Sequence, residues 1–335
     1  MIKEDLVSTI IPVFNRPTLL REAVESVMRQ TYRPIEIIIV DDGSTDETTF
    51  VAEELMDKNP EIIKVIHQIN GGPGAAREAG RLSAGGEFVQ YLDSDDVLLP
   101  HKFKLQVAGL RAHPECGVAY GKTRYYREGV CDSGEGWKRT GEVIESMFPS
   151  FLKSRWWGTS TPLYRRTVVD MAGPWIALHN EEDWEYDCRV AVLGIRLYYC
   201  NVLVSEQRGH PGDQISRHGW SDPERLLDRA AAHTLIFSHA QKAGITSEIP
   251  EMKHFARELF MLSRRCGAKG LTRESAELFR LSRQASESRR AMGWDFRLYG
   301  FFAKLAGWQT AGSLCLLLEQ ARERLRKVAG HADNA

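Results

Sequence analysis

Residues 8–48, STIIPVFNRPTLLREAVESVMRQTYRPIEIIIVDDGSTDET, contain two short apolar runs separated by a segment of helical periodicity. The first run, VSTIIPVF (7–14), is rich in β-branched residues, and the second, IEIIIV (35–40), is apolar except at Glu36, as is typical of strands buried on both faces. Between them, residues 16–30 repeat apolar side chains at the spacing of one helix face. A strand, a helix and a second strand with short connections predict a parallel pair in a sheet covered by helices.

The same alternation continues through the first 92 residues. It predicts two further helices and two further strands, at 44–58 (with Ser44 or Thr45 as N-cap), 62–68, 72–84 and 87–92. The predicted fold class is therefore α/β, with a Rossmann-like, mostly parallel central sheet and helices on both of its faces. From about residue 222 the chain changes to Ala, Leu, Arg and Glu at helical spacing. We expect a first domain over 1–220 and a helical C-terminal region over 221–335.

The amino-acid composition limits the kinds of molecule that the protein is expected to bind. The 335 residues include 44 basic and 45 acidic side chains, which gives a net charge of −1 and predicts no non-specific attraction to nucleic acid or to an anionic membrane. None of the six cysteines forms a C-x-x-C pair, so a zinc site or a thioredoxin-like motif is not expected. We see neither a signal peptide nor an uninterrupted apolar stretch long enough to span a membrane. We therefore expect a cytoplasmic protein with reduced thiols. Residues 298–320 are favoured as a helix packed on the protein, with a peripheral membrane helix as the rival interpretation.

Acidic side chains follow two of the predicted strands. Asp41 and Asp42 come directly after IEIIIV, and Asp93, Asp95 and Asp96 come directly after EFVQYL. Ligands of parallel sheets bind beyond the carboxyl ends of the strands, so both clusters are expected on one rim. Carboxylates at alternate positions suit Mg²⁺ or Mn²⁺, which binds one or two of them together with substrate phosphates. The simpler alternative, in each cluster, is capping of the helix or segment that follows.

Later segments supply candidates for catalysis and substrate binding. Glu181, Glu182 and Asp183 open the segment EEDWEYDCRVAV, where one of them can act as general base for a weakly nucleophilic hydroxyl, or can merely interact with the helix dipole. The pair Trp156 and Trp157 suits a sugar or an apolar acceptor, with core packing an equal alternative. The glycine-rich segment NGGPGAAREAG (70–80) allows close backbone approach to a ligand.

Together these segments resemble the family 2 glycosyltransferases, which have the GT-A fold. The resemblance extends over residues 8–217 and is carried, in family order, by the 8–48 segment, GGPGAAREAG, EFVQYLDSDD, EEDWEYDCR and RGHPGDQISR. It implies inverting, metal-dependent transfer of a sugar from a nucleoside diphosphate sugar, with a UDP-sugar favoured, to a hydroxyl or amine acceptor in bacterial glycan or glycosylated-metabolite synthesis. One departure is Glu78, where many members have Asn.

The resemblance also implies roles for individual residues. It implies nucleotide contacts from Pro12, Phe14, Asp41 and Arg77, a ribose- or phosphate-side contact from Asp93, metal ligands in Asp95 and His210, and a catalytic base in Asp183. We add Glu182 and Trp157 as substrate-binding residues. The cofactor expected is Mn²⁺ or Mg²⁺. A binding protein without turnover and a nucleotidyltransferase are the alternative functions, and a homodimer is a candidate assembly.

Overall fold

The computed structural model describes residues 2–127, 130–131, 136–209, 222–286 and 293–332. The chain divides into two units, Met1–Gln214 and Ile215–Ala335.

The first unit alternates strands and helices from its first residues onward. Its strands are β1 (Lys3–Val13), β2 (Ile35–Asp41), β3 (Ile63–His67), β4 (Gly86–Tyr91), β5 (Val97–Leu98), β6 (Cys116–Arg127), β7 (Val130–Cys131), β8 (Leu163–Arg165) and β9 (Arg196–Gly209). Its helices are α1 (Pro17–Met28), α2 (Thr48–Lys58), α3 (Gly72–Ser83), α4 (Lys102–Ala112), α5 (Arg166–Ala172) and α6 (Glu182–Val192), with a short 3₁₀ turn at Ser150–Leu152. The predicted α/β class is confirmed.

The described strands form one mixed sheet. Its order is β3-β2-β1-β4-β8-β6-β9-β5, with β7 paired to β6. The half β3-β2-β1-β4 is parallel, as predicted, whereas β8 runs antiparallel to both β4 and β6. Strands β6 and β9 are parallel to each other, so the expectation of a mostly parallel sheet is confirmed. The antiparallel members are β8 and the two-residue strands β5 and β7, which are too short to show a strand period in the sequence.

The helix predicted from residue 44 begins later, at Thr48. Ser44 and Thr45, the expected N-caps, instead form hydrogen bonds with Asn15 in the loop after β1. Ser44 Oγ accepts from the Asn15 backbone N–H at 3.0 Å, and Asn15 Oδ1 accepts from the Thr45 N–H at 2.8 Å. Asn15 holds a left-handed backbone conformation with φ 51°, which asparagine tolerates better than most residues do. These side-chain hydrogen bonds therefore connect the loop after β1 to the loop after β2, and the helix begins only after them.

Small residues let α3 pack closely on the rest of the first unit. A Cβ at Gly80 would lie 2.3 Å from Cγ2 of Ile10 in β1, and a Cβ at Gly74 would lie 2.0 Å from the carbonyl oxygen of Ile176. Both distances are far below van der Waals contact. The glycines of the segment 70–80 thus serve contacts within the chain, where the sequence suggested room for a ligand.

The second unit consists of helices. They are α7 (Pro223–Lys242), α8 (Pro250–Ala268), α9 (Thr272–Ser286), α10 (Trp294–Ala306) and α11 (Trp308–Ala332). Phe260, Phe279, Phe296 and Tyr299 form the centre of an aromatic core. The segment 298–320 is not one helix, because Gly307 takes φ 85° and separates α10 from α11. Within the described ranges, every helix is too short or too polar to cross a membrane.

Candidate functional site

Three neighbouring strand ends form one rim of the sheet. Strand β1 pairs with β2 on one side and with β4 on the other, with Val13 opposite Asp41 and Ile10 opposite Tyr91. The acids that follow β2 and β4 therefore lie on the same rim, as the sequence predicted. Pro12 is buried in β1 between them, and Phe14 lies just beyond, with 44% of its surface exposed.

Asp41 and Asp42 are buried and hold the loops of this rim. Asp41 accepts hydrogen bonds from the Ser44 N–H at 3.0 Å and from Thr49 Oγ1 at 2.6 Å, and these donors keep its pKa below the usual value although burial opposes the shift. Asp42 accepts from the N–H groups of Gly71 and Gly72 at 2.8 and 2.9 Å. The expected nucleotide contact of Asp41 would therefore add to bonds that it already makes within the chain.

Arg77 joins the two acidic motifs that the sequence separates by about ninety residues. Its Nη2 donates to Asp93 Oδ1 at 2.7 Å, and its Nη1 donates to Glu182 Oε1 at 2.5 Å. The guanidinium also lies 4.9 Å from the ring centre of Trp175, and only 4% of the side chain is exposed. Burial would lower the pKa of Arg77, but the neighbouring carboxylates outweigh it and raise the pKa above its usual value.

The three acids of the DSDD segment differ in accessibility. Asp93 and Asp95 keep 29% and 17% of their side chains exposed, whereas Asp96 is buried. Asp95 Oδ2 accepts from Arg16 Nη1 at 2.5 Å. Asp96 accepts from Ser160 Oγ at 2.7 Å and from the Arg208 N–H at 3.2 Å. Burial, together with the charges of Asp95 and Asp93, raises the pKa of Asp96 well above its usual value.

A second buried arginine holds the acids of α6. Arg155 donates from Nη1 to Asp183 Oδ2 at 2.5 Å and from Nε to Asp187 Oδ2 at 2.6 Å. Asp187 is 1% exposed, but Asp183 keeps 29% of its side chain exposed. Burial raises the pKa of Asp183, but Arg155 and other nearby cations outweigh it and leave the pKa lowered. Asp183 is thus an ionised carboxylate that a ligand can reach.

The backbone before Asp183 takes an unusual conformation. Glu181, the residue that precedes α6, has φ 63° and ψ 14°, in the left-handed region that side chains other than glycine seldom adopt. Such conformations cluster at functional sites, where the surrounding structure holds them in place. Here the conformation starts α6 so that Glu182 and Asp183 reach two different arginines.

Two of the predicted substrate contacts differ from expectation. The structure corrects the expectation for Trp157, whose surface is 0% exposed: its ring packs against Trp156, Tyr120 and Phe151, and its Nε1 donates to Asp187 Oδ2 at 2.9 Å. Glu182 is 7% exposed on its side chain and is held by Arg77, so it positions that arginine. His210, the expected second metal ligand, lies outside the described residues.

The residues at the rim suit a divalent cation that also binds a ligand's phosphates. Asp93 and Asp95 supply hard, partly exposed carboxylate oxygens, the donors that Mg²⁺ and Mn²⁺ prefer. Within the described part of the chain, no group of three or more His, Cys, Asp and Glu side chains is arranged to hold a metal unaided. A cation bound by these carboxylates would have coordination positions left for the oxygens of a bound phosphate group.

The comparisons with known proteins agree with this arrangement. Residues 8–167 match the family model "Glycosyl transferase family 2". An uncharacterised glycosyltransferase of Nostoc sp. is 43% identical over 114 residues, which is 34% of this chain and 35% of that protein. The glycosyltransferase GlyG of Streptococcus pneumoniae is 40% identical over 95 residues, 28% of this chain and 31% of GlyG. The matches thus span about a third of each of these two relatives.

Two solved structures share the fold over most of the chain. Staphylococcus aureus TarS in complex with UDP-GlcNAc superposes with a TM-score of 0.65 at 22% identity, covering 94% of this chain and 92% of that one. The mannosyltransferase PcManGT from Pyrobaculum calidifontis, in complex with GDP-Man and Mn²⁺, gives a TM-score of 0.52 at 18% identity, covering 92% and 84%. These likenesses confirm the GT-A-like fold.

Removal of the bridging arginine should destabilise the protein, and more so at alkaline pH. In Arg77→Met, buried Glu182 loses its counter-charge, and we expect a loss of about 3–5 kcal/mol in the free energy of unfolding. Burial already raises the pKa of Glu182, against the opposing effect of Arg77, so the variant raises it further. A carboxyl group with a raised folded-state pKa loses stability as pH rises above its unfolded-state pKa, so the deficit should be larger at about pH 8 than at about pH 5.

Urea denaturation of wild type and variant at both pH values measures this difference. The double variant Arg77→Met/Glu182→Gln is the control, because it removes the orphaned charge and should recover part of the stability. An equal deficit at both pH values, with no recovery in the double variant, would contradict the assignment of Arg77 as the counter-charge of Glu182.

Proposed function

We propose that the protein, whose residues 8–167 match the model of glycosyl transferase family 2, transfers a sugar, with inversion, from a nucleoside diphosphate sugar to a hydroxyl or amine acceptor. The observation that carries the proposal is the joining of Asp93 and Glu182 by Arg77, which links the acidic strand end to the start of α6, where Asp183 lies. The fold-level likeness to a UDP-GlcNAc complex supports a UDP-sugar as the favoured donor. The expected cytoplasmic location and homodimer stay predictions.

Asp183 is the residue best suited to serve as base. It is ionised, partly exposed and held by Arg155, whereas its neighbour Asp187 is closed to solvent. In the proposed reaction the acceptor hydroxyl attacks the anomeric carbon, its proton passes to Asp183, and the bond from that carbon to the diphosphate oxygen breaks. The attack comes from the face opposite the diphosphate, which leaves as nucleoside diphosphate with the electron pair of the broken bond.

Asp95, with Asp93 beside it, is the proposed site of the divalent cation. The cation, when bound, would screen the charge that develops on the diphosphate. In the structure the Arg16 guanidinium forms an ion pair with Asp95. A cation that binds Asp95 would compete with this ion pair.

A screen of nucleotide sugars with Mn²⁺ tests the function and the base together. We expect at least one nucleotide sugar to raise the melting temperature of the wild type, because a ligand of the native state must stabilise it, and to be consumed with release of nucleoside diphosphate. Asp183→Asn should keep the thermal stabilisation but lose roughly 100-fold or more of the turnover.

Asp170→Asn, which alters an exposed acid of α5, is the control and should behave as wild type. Three results would count against the proposal, each in its own way. Stabilisation without turnover in the wild type indicates a binding protein, release of pyrophosphate from a nucleoside triphosphate indicates a nucleotidyltransferase, and wild-type turnover in Asp183→Asn removes Asp183 as base.

The pH dependence of the rate tests the role of Arg155. In Arg155→Lys one ammonium replaces a fork that holds two carboxylates, so the pKa of Asp183 should rise above its wild-type value. The acid limb of kcat/KM should then lie at higher pH than in the wild type. Arg189→Lys, at an arginine that pairs with Glu185 on the same helix, should leave the profile unchanged. Superposable profiles for Arg155→Lys and wild type would exclude this role.

Calorimetric titration of UDP, with and without Mn²⁺, tests the cation site. Asp95→Asn should lose most of the gain in UDP affinity that Mn²⁺ brings, because a ligand carboxylate is gone. Arg16→Gln should keep or increase that gain, since it removes the cation that competes for Asp95. If UDP affinity in Asp95→Asn responds to Mn²⁺ as in wild type, Asp95 is not a metal ligand.

A further inference from the structure

Lys138 lies near the residues that hold the proposed base. The N–H of the next residue, Arg139, donates to the Trp156 carbonyl oxygen at 3.4 Å, and Trp156 directly follows Arg155 in the chain. Lys138 itself has φ 55°, in the left-handed region that residues other than glycine seldom adopt and that is enriched at functional sites. The backbone thus brings Lys138 close to the arginine that binds Asp183.

Two stacked aromatic rings support the Lys138 side chain. Its Nζ lies 4.3 Å from the ring centre of Trp137, and the Trp137 ring stacks on Tyr125 with 5.7 Å between ring centres and 17° between ring planes. A cation over an aromatic face is attracted to the ring without using its hydrogen-bond donors. Among the residues that the structure describes, the ammonium forms no hydrogen bond or ion pair besides this contact, so its N–H donors are available to a ligand.

The charges around Lys138 favour the binding of an anion. The pKa of Lys138 is lowered to about 8, mainly by burial of the ammonium against the protein and then by the Arg155 guanidinium, while Asp183 and Asp187 oppose the shift. Both of these carboxylates are already paired with Arg155. A further anionic group would favour the charged form of the ammonium. The residue as a whole is exposed, so a ligand can reach it from solvent.

The position of Lys138 favours the acceptor over the donor as its ligand. The diphosphate of the donor is proposed to meet a cation at Asp93 and Asp95, and neither acid is among the charges that act on Lys138. Those charges belong to Arg155 and to the acids of α6. Because the acceptor hydroxyl is the group that Asp183 would deprotonate, an ammonium on the α6 side of the site faces the acceptor.

We propose that Lys138 binds an anionic group of the acceptor, a phosphate or a carboxylate. This inference rests on the proposed function, in which Asp183 takes the proton of the acceptor hydroxyl. The ion pair would hold one part of the acceptor at Lys138 while its hydroxyl lies at Asp183, and this would orient the nucleophile for attack. A neutral acceptor would leave the ammonium without a counter-charge on its exposed side.

Acetylation of the full chain by acetic anhydride tests the binding step without any donor. The reagent attacks the neutral form of an amine, so at about pH 7 a lysine of lowered pKa should be labelled ahead of ordinary lysines. The probes are methyl glucoside, its 6-phosphate and methyl glucuronide, which differ in charge at one position and are compared at equal ionic strength. Peptide mass spectrometry reports the rate at Lys138.

We expect the two charged probes to slow the labelling of Lys138 and methyl glucoside to leave it unchanged. An ion pair that raises the pKa by about one unit lowers the neutral fraction roughly tenfold, and the rate should fall with it. Comparison of the two charged probes distinguishes a phosphate from a carboxylate as the preferred group. Lys153, an exposed lysine two residues before Arg155, is the control and should be labelled at the same rate with every probe.

Three results of the labelling overturn the proposal. They are labelling of Lys138 that neither charged probe slows, equal slowing by methyl glucoside, and slowing of Lys153 to the same extent. UDP with Mn²⁺ should leave the rate at Lys138 unchanged. Slowing by UDP with Mn²⁺ would also overturn the proposal, because it would assign Lys138 to the donor.

Transfer kinetics distinguish a failure of this inference from a failure of the proposed function. With a donor from the nucleotide-sugar screen, the wild type should show a KM for the preferred charged glucoside roughly tenfold below that for methyl glucoside. Lys138→Gln should remove this difference, Lys138→Arg should keep most of it, and Lys153→Gln should behave as wild type. Equal melting temperatures would show that the variants fold.

Equal KM values for charged and neutral acceptors in the wild type would overturn the inference and leave the proposed function intact. Absence of transfer to every acceptor, with labelling of Lys138 still slowed by the charged probes, would count against the proposed function. Lys138 would then be an anion-binding residue and the assignment of its ligand as an acceptor would be wrong.

Discussion

The candidate site depends on the compensation of carboxylates by arginines that are themselves largely buried. Arg77 holds Asp93 and Glu182, and Arg155 holds Asp183 and Asp187. A guanidinium can do this because its donors form a rigid planar fork, so that one buried cation orients two carboxylates at once. Removing either arginine would leave a buried charge without its partner, which is among the costlier defects in a folded protein. The same bonds that stabilise the fold therefore also fix the distance between the rim and α6.

Asp93, Asp95 and Asp96 can lie close together because they differ in their exposure to solvent. Asp96 is withdrawn from solvent and hydrogen-bonded to Ser160 and to the backbone of Arg208, so the DSDD turn is fixed to β9 and to the segment that precedes β8. Burial and the charges of Asp95 and Asp93 raise the pKa of Asp96, which favours its protonated form and lowers the repulsion within the segment. Asp93 and Asp95 remain at the surface, where a cation or a ligand can meet them. The DSDD segment thus divides into one buried anchor, Asp96, and two partly exposed carboxylates, which are the proposed binding groups.

The sequence predicts which acids lie at the rim of the sheet, but it does not predict which arginines pair with the acids of the site. The apolar run IEIIIV determines a buried strand, and the topology of parallel strands then brings Asp41 and Asp93 to one edge without any knowledge of side-chain packing. The pairs of Arg16 with Asp95 and of Arg155 with Asp183 join residues 79 and 28 positions apart, and no local period marks them. The burial of Trp157 is of the same kind, because its neighbour Tyr120 in β6 and its hydrogen-bond acceptor Asp187 in α6 come from distant segments. Propensity and periodicity report local structure, whereas these contacts exist only once the sheet is assembled.

The start of α6 shows how one short segment can serve stability and reactivity together. Glu182 and Asp183 are consecutive, so on a helix their side chains point about 100° apart and cannot share one cation. The left-handed conformation of Glu181 sets the direction in which the helix begins, and each acid then meets its own arginine. Because Asp187 lies one turn further along and satisfies the other arm of Arg155, that arginine is held even if Asp183 gives up its bond. In the proposed reaction Asp183 would therefore exchange Arg155 for the acceptor hydroxyl without leaving a buried cation unpaired, whereas Glu182 and Asp187 are closed to an acceptor.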